Sequence, residues 1–169
     1  MMNMIQRTLV VLKPDAVRRG IIGEIITRFE RAGLKMVGCK MLLPTEDHYH
    51  HHYENIGKMI SRRGNKAFEV TLAMMKKGPV IAMVLEGVEA VPLVRKMAGT
   101  TEPKAAPPGT IRGDYAHMSF AYADSRDMGV PNIIHASGDE NEAAEEIKHW
   151  FNEKELFSYK SVHDLHEME

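Results

Sequence analysis

The chain has 169 residues, which is enough for one domain with a substantial buried core. Its net charge is −1, so the bulk composition gives no sign of attraction to nucleic acid. The single cysteine, Cys39, excludes an intramolecular disulfide, and no apolar run approaches the roughly 20 residues that a membrane helix requires. We therefore expect one soluble, cytoplasmic domain over residues 1–169 that binds neither membranes nor nucleic acid.

Strand-like and helix-like segments alternate along the chain. Apolar runs rich in β-branched residues predict four strands, over 8–13, 34–44, 80–87 and 132–137. Apolar residues at helical spacing predict five helices, over 21–33, 45–57, 65–78, 89–99 and 139–151. Thr45 is the predicted N-cap of the second helix. Residues 99–131 lack such a pattern and predict a long functional loop, stiffened by Pro107 and Pro108.

The order of these segments indicates the fold class. Each half of the chain contributes strand, helix and strand, with additional helices between the halves. This order predicts an α+β fold of the ferredoxin-like sandwich type, in which a four-stranded antiparallel sheet is covered by helices on one face.

Cations stand near the ends of the predicted elements. The sequence contains neither GxxxxGK[ST] nor GxGxxG, the two common glycine-rich phosphate-binding motifs. It has instead Lys13 after the first strand, Arg95 in a short helix and Arg112 in the loop, with Thr101 and Asn132 near them in sequence. Such residues suit a ligand with several phosphates, because arginine offers a fork of donors and lysine a point charge. Taken singly, each cation is also typical of an ordinary protein surface.

His135 occupies an unusual position in the stretch VPNIIHASGDE. It ends a short apolar run and is followed by a small residue, a serine and an acidic helix start. With an unperturbed pKa of about 6.5, a histidine is largely neutral at cellular pH and can act as a nucleophile. A structural histidine with satisfied hydrogen bonds at a strand end is the other interpretation, and the local sequence alone leaves both open.

Several motifs together carry a family resemblance. KPDAVRRGIIGEIITRFERAG, HYENI, GPVIAMVLEG, AAPPGTIRGD and NIIHAS followed by EEIKHWF resemble the nucleoside diphosphate kinases, over about residues 7–159. Any one of these motifs alone would be weak, but KPDAV, PGTIRGD and NIIHAS in this order are specific. The resemblance implies an enzyme that moves the terminal phosphate of a nucleoside triphosphate to a nucleoside diphosphate, in a ping-pong reaction through phosphorylated His135.

The resemblance also implies roles for the other residues. Near His135, Glu146 would hold the second ring nitrogen, Tyr53 would place its hydroxyl beside the ring, and Ser137 would support the phosphate site. The nucleotide would be held by Lys13, Arg95, Thr101 and Arg112 at the phosphates and by Asn132 with Lys13 at the sugar hydroxyl. The implied cofactor is Mg²⁺ carried by the phosphates, without protein ligands, and the implied assembly is a homo-hexamer built from trimers, or less often a tetramer.

This sequence departs from the family pattern at several places. The paired phenylalanines of the family appear as KAF, so the base-stacking role falls to Phe68, although strict pairing would put Ala67 there. Ala136 replaces a glycine, and Gly138 stands where aspartate is common. Two insertions, 57–66 and 117–131, have no assigned role, and we expect Arg62 and Arg63 in the first to be solvated and unimportant for catalysis.

The sequence allows two further interpretations. His48, His51 and His52 have helical spacing that could serve a metal, although an adventitious surface cluster is the simpler interpretation. The chain could also be a catalytically inactive ferredoxin-like module that binds nucleotides or RNA. Its strands, however, lack the aromatic pattern with which such modules stack RNA bases. The histidine, lysine and arginines of the motifs also favour an active enzyme.

Overall fold

The computed structural model describes residues 4–166, with the side chains described up to residue 165. The predicted domain, 1–169, extends beyond this part at both ends and stays a prediction. The strands are β1 (Ile5–Leu12), β2 (Lys35–Leu42), β3 (Val80–Val88) and β4 (Ile134–Ala136). The helices are α1 (Pro14–Arg19), α2 (Ile22–Arg31), α3 (Glu46–His50), α4 (Met59–Arg63), α5 (Asn65–Met75), α6 (Ala90–Ala98), α7 (Ile111–Tyr115), α8 (Phe120–Ser125), α9 (Glu140–Trp150) and α10 (Val162–His166). A π-helical segment, His51–Ile56, continues α3, and short 3₁₀ turns cover Pro103–Ala105 and Glu153–Glu155.

The strands form one antiparallel sheet in the order β2-β3-β1-β4. β1 lies between β3 and β4, with Leu9 opposite Val84 and Val11 opposite His135. All three pairings are antiparallel, and β2 pairs with β3 at the edge. The predicted ferredoxin-like α+β fold, with its four-stranded antiparallel sheet, is confirmed.

Helices cover both faces of the sheet, so the expectation of one covered face was wrong. Val10 and Leu12 of β1 pack with α2 and α6 in one core cluster. Leu9 and Val11 point the other way and pack with α3, α5 and α9 in a second cluster. Leu9–Leu12 are therefore all buried, and an uninterrupted apolar strand is the pattern of a sheet covered on both sides.

The segment 99–131 is more ordered than predicted. It contains a 3₁₀ turn and two short helices, α7 and α8, instead of one long loop. The hydroxyl of Thr110 caps α7 by accepting from the amide of Gly113, and the hydroxyl of Ser119 caps α8 by accepting from the amide of Tyr122. Helices of five and six residues are too short to produce a visible apolar period, and their caps were the signal that was missed. Thr45, in contrast, caps α3 as predicted, by accepting from the amide of His48.

No helix in residues 4–166 has both the length and the apolar character needed to span a membrane.

Candidate active site

A cavity of about 910 Å³ opens beside the ends of β1 and β4. Its walls come from the π-helical segment, α4, α5, the end of α6, α8 and the start of α9. Seven of the predicted site residues line it: Lys13, Tyr53, Arg95, Thr101, Arg112, Asn132 and His135, together with Glu146 behind the histidine. The fold therefore gathers residues that are more than 130 positions apart in sequence.

Among the described residues, the His135 ring is hydrogen-bonded through one of its two nitrogens. Its Nε2 lies 2.7 Å from Oε1 of Glu146, and its side chain is 18% exposed, towards the cavity. With Glu146 ionised, this contact places the ring proton on Nε2 and leaves the lone pair on Nδ1. Nδ1 is therefore the ring atom available for nucleophilic attack.

Glu146 is fully buried and is held by hydrogen bonds on both oxygens. The hydroxyl of Ser137 donates to Oε2 at 2.6 Å, while Oε1 faces His135. Ser137 also accepts from the amide of Leu9 at 3.1 Å, which fixes it to β1. Burial raises the pKa of Glu146, whereas the hydrogen bond from Ser137 lowers it. The serine therefore acts on the carboxylate that orients the histidine, instead of pointing into the cavity.

Sequence reasoning missed His52 as a member of this network. The indole N–H of Trp150 donates to Nδ1 of His52 at 3.1 Å, and the His52 ring stands edge-on to His135 with 4.5 Å between centroids. Nδ1 of His52 is also 3.5 Å from Glu146, but it accepts the indole proton and carries none of its own. Burial lowers the pKa of His52 well below its usual range, so the contact joins a neutral imidazole and a carboxylate. The π-helical turn aims both His52 and Tyr53 inward, which the histidine-rich sequence alone did not reveal.

The surroundings of His135 favour its neutral form. Burial, followed by the charge of Lys13, lowers the pKa of His135 to about 3. A neutral imidazole keeps its lone pair, so the same surroundings that disfavour a positive ring favour a nucleophilic one.

Lys13, Asn132 and Thr101 form a chain of hydrogen bonds on one wall. Nζ of Lys13 donates to Oδ1 of Asn132 at 2.6 Å, and Nδ2 of Asn132 donates to the carbonyl of Thr101 at 2.9 Å. Burial, and next the charge of Arg112, lower the pKa of Lys13 to about 8. Lys13 is therefore a cation in a fixed position, and it loses its proton at a lower pH than an ordinary lysine.

Arg112 is buried and immobilised by three backbone carbonyls. It donates to the carbonyls of Asn132 at 3.2 Å, Gly99 at 2.8 Å and Ile134 at 2.6 Å. Burial, together with the charge of Arg95, lowers the pKa of Arg112 to about 10. Within residues 4–166 no ion pair involves Lys13, Arg95 or Arg112, so three cations line one cavity without a salt-bridge partner. The carboxylates of Asp139 and Glu142 line the same cavity. Such a site is suited to a multiply charged anion.

Tyr53 reaches the cavity, whereas Phe68 does not. The Tyr53 hydroxyl is buried and has no hydrogen-bond partner among the described residues. Burial raises the pKa of Tyr53, so its hydroxyl stays protonated and can donate. Phe68 lies in the core against the edge of the His50 ring, 5.4 Å away between centroids. Its neighbour Ala67 lines the cavity instead, so the geometry does not support the stacking role expected for Phe68.

The arginines of the first insertion are not remote from the site. Arg62 and Arg63 line the same cavity, and the charge of Arg63 contributes to the lowered pKa of Lys13 and of Arg112. Both arginines are exposed, as expected, but they lie at the cavity and not away from it. The insertion forms the short helix α4, which turns its basic last turn towards the cavity.

The ligand atoms of His48, His51 and His52 do not converge on one point among the described residues. The rings of His48 and His51 pack against His149, with centroids 3.9 and 4.3 Å apart, while His52 points inward. Among the described residues, the set whose ligand atoms lie within 4.8 Å of one another is His52, His135 and Glu146. These atoms already form the network around the histidine, so the geometry gives no support to a metal site at His48, His51 and His52.

Comparison with known proteins identifies the family. The family model described as nucleoside diphosphate kinase matches residues 6–156. The nucleoside diphosphate kinase of Pyrococcus furiosus is 46% identical over 165 residues, covering 96% of this chain and 93% of that protein.

Two solved structures resemble the fold closely. One is described as a transition-state mimic of the nucleoside diphosphate kinase from Borrelia burgdorferi with bound vanadate and ADP. It has a TM-score of 0.92 and 42% identity, covering 95% of each chain. A halophilic nucleoside diphosphate kinase from Halobacterium salinarum in complex with CDP has a TM-score of 0.80 and 37% identity, covering 95% and 96%. These matches confirm the resemblance and do not favour an inactive binding module. The chain belongs to the nucleoside diphosphate kinase family, and it is an enzyme that transfers the terminal phosphate of a nucleoside triphosphate to a nucleoside diphosphate through a phosphohistidine.

Proposed function

We propose that His135 is the residue that carries the phosphoryl group. The observation that supports this role most strongly is the one-sided hold on its ring. Nε2 is bound to Glu146, and Nδ1 is left for a cavity that is also lined by Lys13, Arg95 and Arg112. In the first half-reaction, the Nδ1 lone pair attacks the terminal phosphorus, and the bond from that phosphorus to the bridging oxygen breaks. The diphosphate leaves with the electron pair, and a second diphosphate reverses the sequence.

Glu146 and Ser137 would keep the histidine ready for both halves. Phosphorylation of Nδ1 places positive charge on the ring, and the carboxylate at Nε2 offsets it. Ser137 holds that carboxylate from the other side, at 2.6 Å. Because the position of Glu146 is fixed before the nucleotide arrives, little rearrangement is needed during the transfer.

The cations would bind the phosphates. Arg112 is held rigidly by three carbonyls, so its remaining donor capacity is directed before the substrate arrives. Arg95 and Thr101 line the same cavity beside it. Lys13 and Asn132, already hydrogen-bonded to each other, would hold the sugar hydroxyl, and Tyr53 would place its unpaired hydroxyl beside the histidine.

The family uses a divalent cation with its nucleotides, and we propose Mg²⁺ for this chain. Mg²⁺ commonly binds through substrate phosphates and water, with few protein carboxylates. The cavity suits binding of the ion through the phosphates, because cationic side chains line it. Within residues 4–166 the one cluster that could hold a metal ion is His52, His135 and Glu146, and these residues already contact one another around the proposed nucleophile. When bound, the ion would neutralise part of the phosphate charge, while Lys13, Arg95 and Arg112 would orient the phosphates.

The substrates are nucleotides. We propose a homo-hexamer built from trimers, in keeping with the family, and a single domain over 1–169. Met41 and Leu43 are 58% and 67% exposed at the edge strand β2, which suits burial between subunits. A free cysteine and freely diffusing nucleotide substrates suit the cytoplasm.

The assignment of His135 can be tested by separating turnover from binding. The purified chain should form ATP from GTP and ADP in the presence of Mg²⁺. His135→Asn should abolish this turnover and keep a similar affinity for ADP, because the phosphate-binding cations are untouched. If the folded variant retained turnover, the assignment would be wrong.

A further inference from the structure

The two insertions meet across the mouth of the cavity. The guanidinium of Arg63, from the first insertion, lies over the ring of Phe120, from the second, 5.7 Å from its centroid. Lys66 at the start of α5 forms an ion pair with Asp127, which follows α8. Arg63 and Phe120 both line the cavity. The segments that depart from the family pattern therefore build one wall of the nucleotide site together.

Phe120 is held in place by the residues that bind its helix. Its amide donates to Oε1 of Glu102 at 2.8 Å, at the first position of α8. The preceding segment is fixed as well, since the amide of Lys104 donates to the carbonyl of Met118 at 3.0 Å. Glu102 follows Thr101, whose carbonyl binds Asn132. Phe120 is therefore linked through Glu102 and Thr101 to Asn132, and it lines the same cavity as the Lys13–Asn132 pair proposed to hold the sugar.

The other aromatic rings that line the cavity lie near the proposed nucleophile. His135 is the proposed nucleophile, and the ring of His52 packs edge-on against both His135 and Tyr53. On α5 the cavity is lined by the methyl group of Ala67, and Phe68 is buried in the core. Phe120 is the remaining aromatic ring of the described cavity lining, and it is only half-buried.

We propose that Phe120 is the platform on which the nucleobase stacks, with Arg63 beside it, in place of an aromatic residue on α5. The proposal rests on the function proposed above and assigns a second role to the insertion. The ligand class is any purine or pyrimidine nucleoside di- or triphosphate, because a ring face stacks on every base without reading its edge. Arginine adds a planar cation that also packs well on aromatic faces.

The test compares a nucleotide with the same molecule lacking its base. Phosphorylation of the enzyme would be followed in single turnovers with ATP and with ribose 5′-triphosphate. Phe120→Leu keeps apolar volume and removes the ring, so it should weaken the apparent affinity for ATP by roughly 5- to 100-fold. The apparent affinity for ribose 5′-triphosphate should stay unchanged. Phe120→Trp should restore tight ATP binding, and ADP should quench its fluorescence.

Tyr122→Ala is the matched control, since Tyr122 lies on the same helix and is 50% exposed. It should leave both affinities unchanged. Equal losses for both triphosphates in Phe120→Leu would mean that the ring only supports the loop, and no loss for either would mean that it does not meet the base. Each result would overturn the proposal while leaving His135 in its role. A wild-type chain that neither triphosphate labels would contradict the proposed function itself.

Discussion

At the scale of single residues, the site is a network of buried polar side chains that are hydrogen-bonded to one another. Glu146 receives contacts from His135 and Ser137, and Trp150 fixes the tautomer of neighbouring His52. A carboxylate that orients an imidazole and offsets its positive charge follows the same logic as in hydrolytic triads. The difference lies in the free nitrogen, since Nδ1 of His135 itself would attack instead of removing a proton from another nucleophile.

Glu146→Gln should slow the enzyme without silencing it. The amide oxygen can still accept from Nε2, but the charge that offsets the phosphorylated ring is lost. We expect turnover to fall by less than the roughly 10⁴-fold observed when a triad carboxylate is neutralised, because the lone pair on Nδ1 remains. Glu145→Gln, at an exposed position of the same helix, is the control and should have no effect. Steady-state kinetics at pH 7.5 would check this, and complete inactivity would indicate that Glu146 also takes part in proton transfer.

Deprotonation of Lys13 should reduce kcat/KM at alkaline pH. Burial lowers its pKa to about 8, and the protonated form is the one that attracts phosphates. The value of kcat/KM reports the free enzyme, so it should decrease as pH rises through about 8. The value of kcat should decline less, because bound phosphates favour the charged lysine. Lys13→Arg should show no such decline near pH 8. A wild-type profile that stays flat to pH 9.5 would contradict this account.

At the scale of elements, the sequence predicted the long segments and missed the short ones. All four strands were visible as apolar runs, and the four longer helices, α2, α5, α6 and α9, were visible because their apolar periods extend over several turns. The fifth predicted helix corresponds to α3 together with its π-helical continuation. The helices α4, α7 and α8 have five or six residues and depend on caps and tertiary contacts. The same limit applies to the site. The motifs pointed to residues that line the cavity around His135, whereas the positions of Phe120 on α8 and Arg63 on α4 depend on how these short helices pack.

Arg112 joins three of these elements, so its removal should cost both activity and stability. It connects the start of α7 to Gly99 after α6 and to Asn132 and Ile134 at β4. Arg112→Ala should reduce kcat by about 10²- to 10³-fold, as for other donors aimed at a developing charge. It should also lower the free energy of unfolding by about 3 kcal/mol, because charged hydrogen bonds to buried carbonyls are lost.

Arg31→Ala, at the exposed end of α2, is the control for the loss of an arginine and should change neither quantity. Chemical denaturation and steady-state kinetics on the same preparations would measure both effects. If Arg112→Ala lost activity with no change in stability, the three carbonyl contacts would contribute little to the fold.

At the scale of the whole molecule, the histidines should make the protein sensitive to acid. Burial lowers the pKa of His48 to about 4 and of His135 to about 3, and it also lowers the pKa of His52 and His149. Below the unfolded value of about 6.5, the unfolded chain therefore binds more protons than the folded one, and stability falls as pH falls. The raised pKa values of Glu142 and Glu146 act in the opposite direction.

The contribution of one histidine can be isolated by substitution. His48→Gln should flatten the dependence of unfolding free energy on pH between about 6.5 and 4, by up to about 1.4 kcal/mol per pH unit. His117→Gln, at an exposed position, should leave the dependence unchanged. Denaturant titrations at half-unit intervals of pH would provide the comparison. Parallel curves for wild type and His48→Gln would show that His48 is not held neutral by the fold.

The central claim, that Nδ1 of His135 carries the phosphoryl group, is tested most directly by trapping the intermediate. The chain would be incubated with γ-labelled ATP and Mg²⁺ and without an acceptor. The account predicts a label that is lost in acid and survives base, as expected of a phosphorus–nitrogen bond, and that GDP or CDP removes as the matching triphosphate. His135→Asn should remain unlabelled. Label that persists in His135→Asn, or that resists acid in the manner of a phosphoserine at Ser137, would contradict the claim.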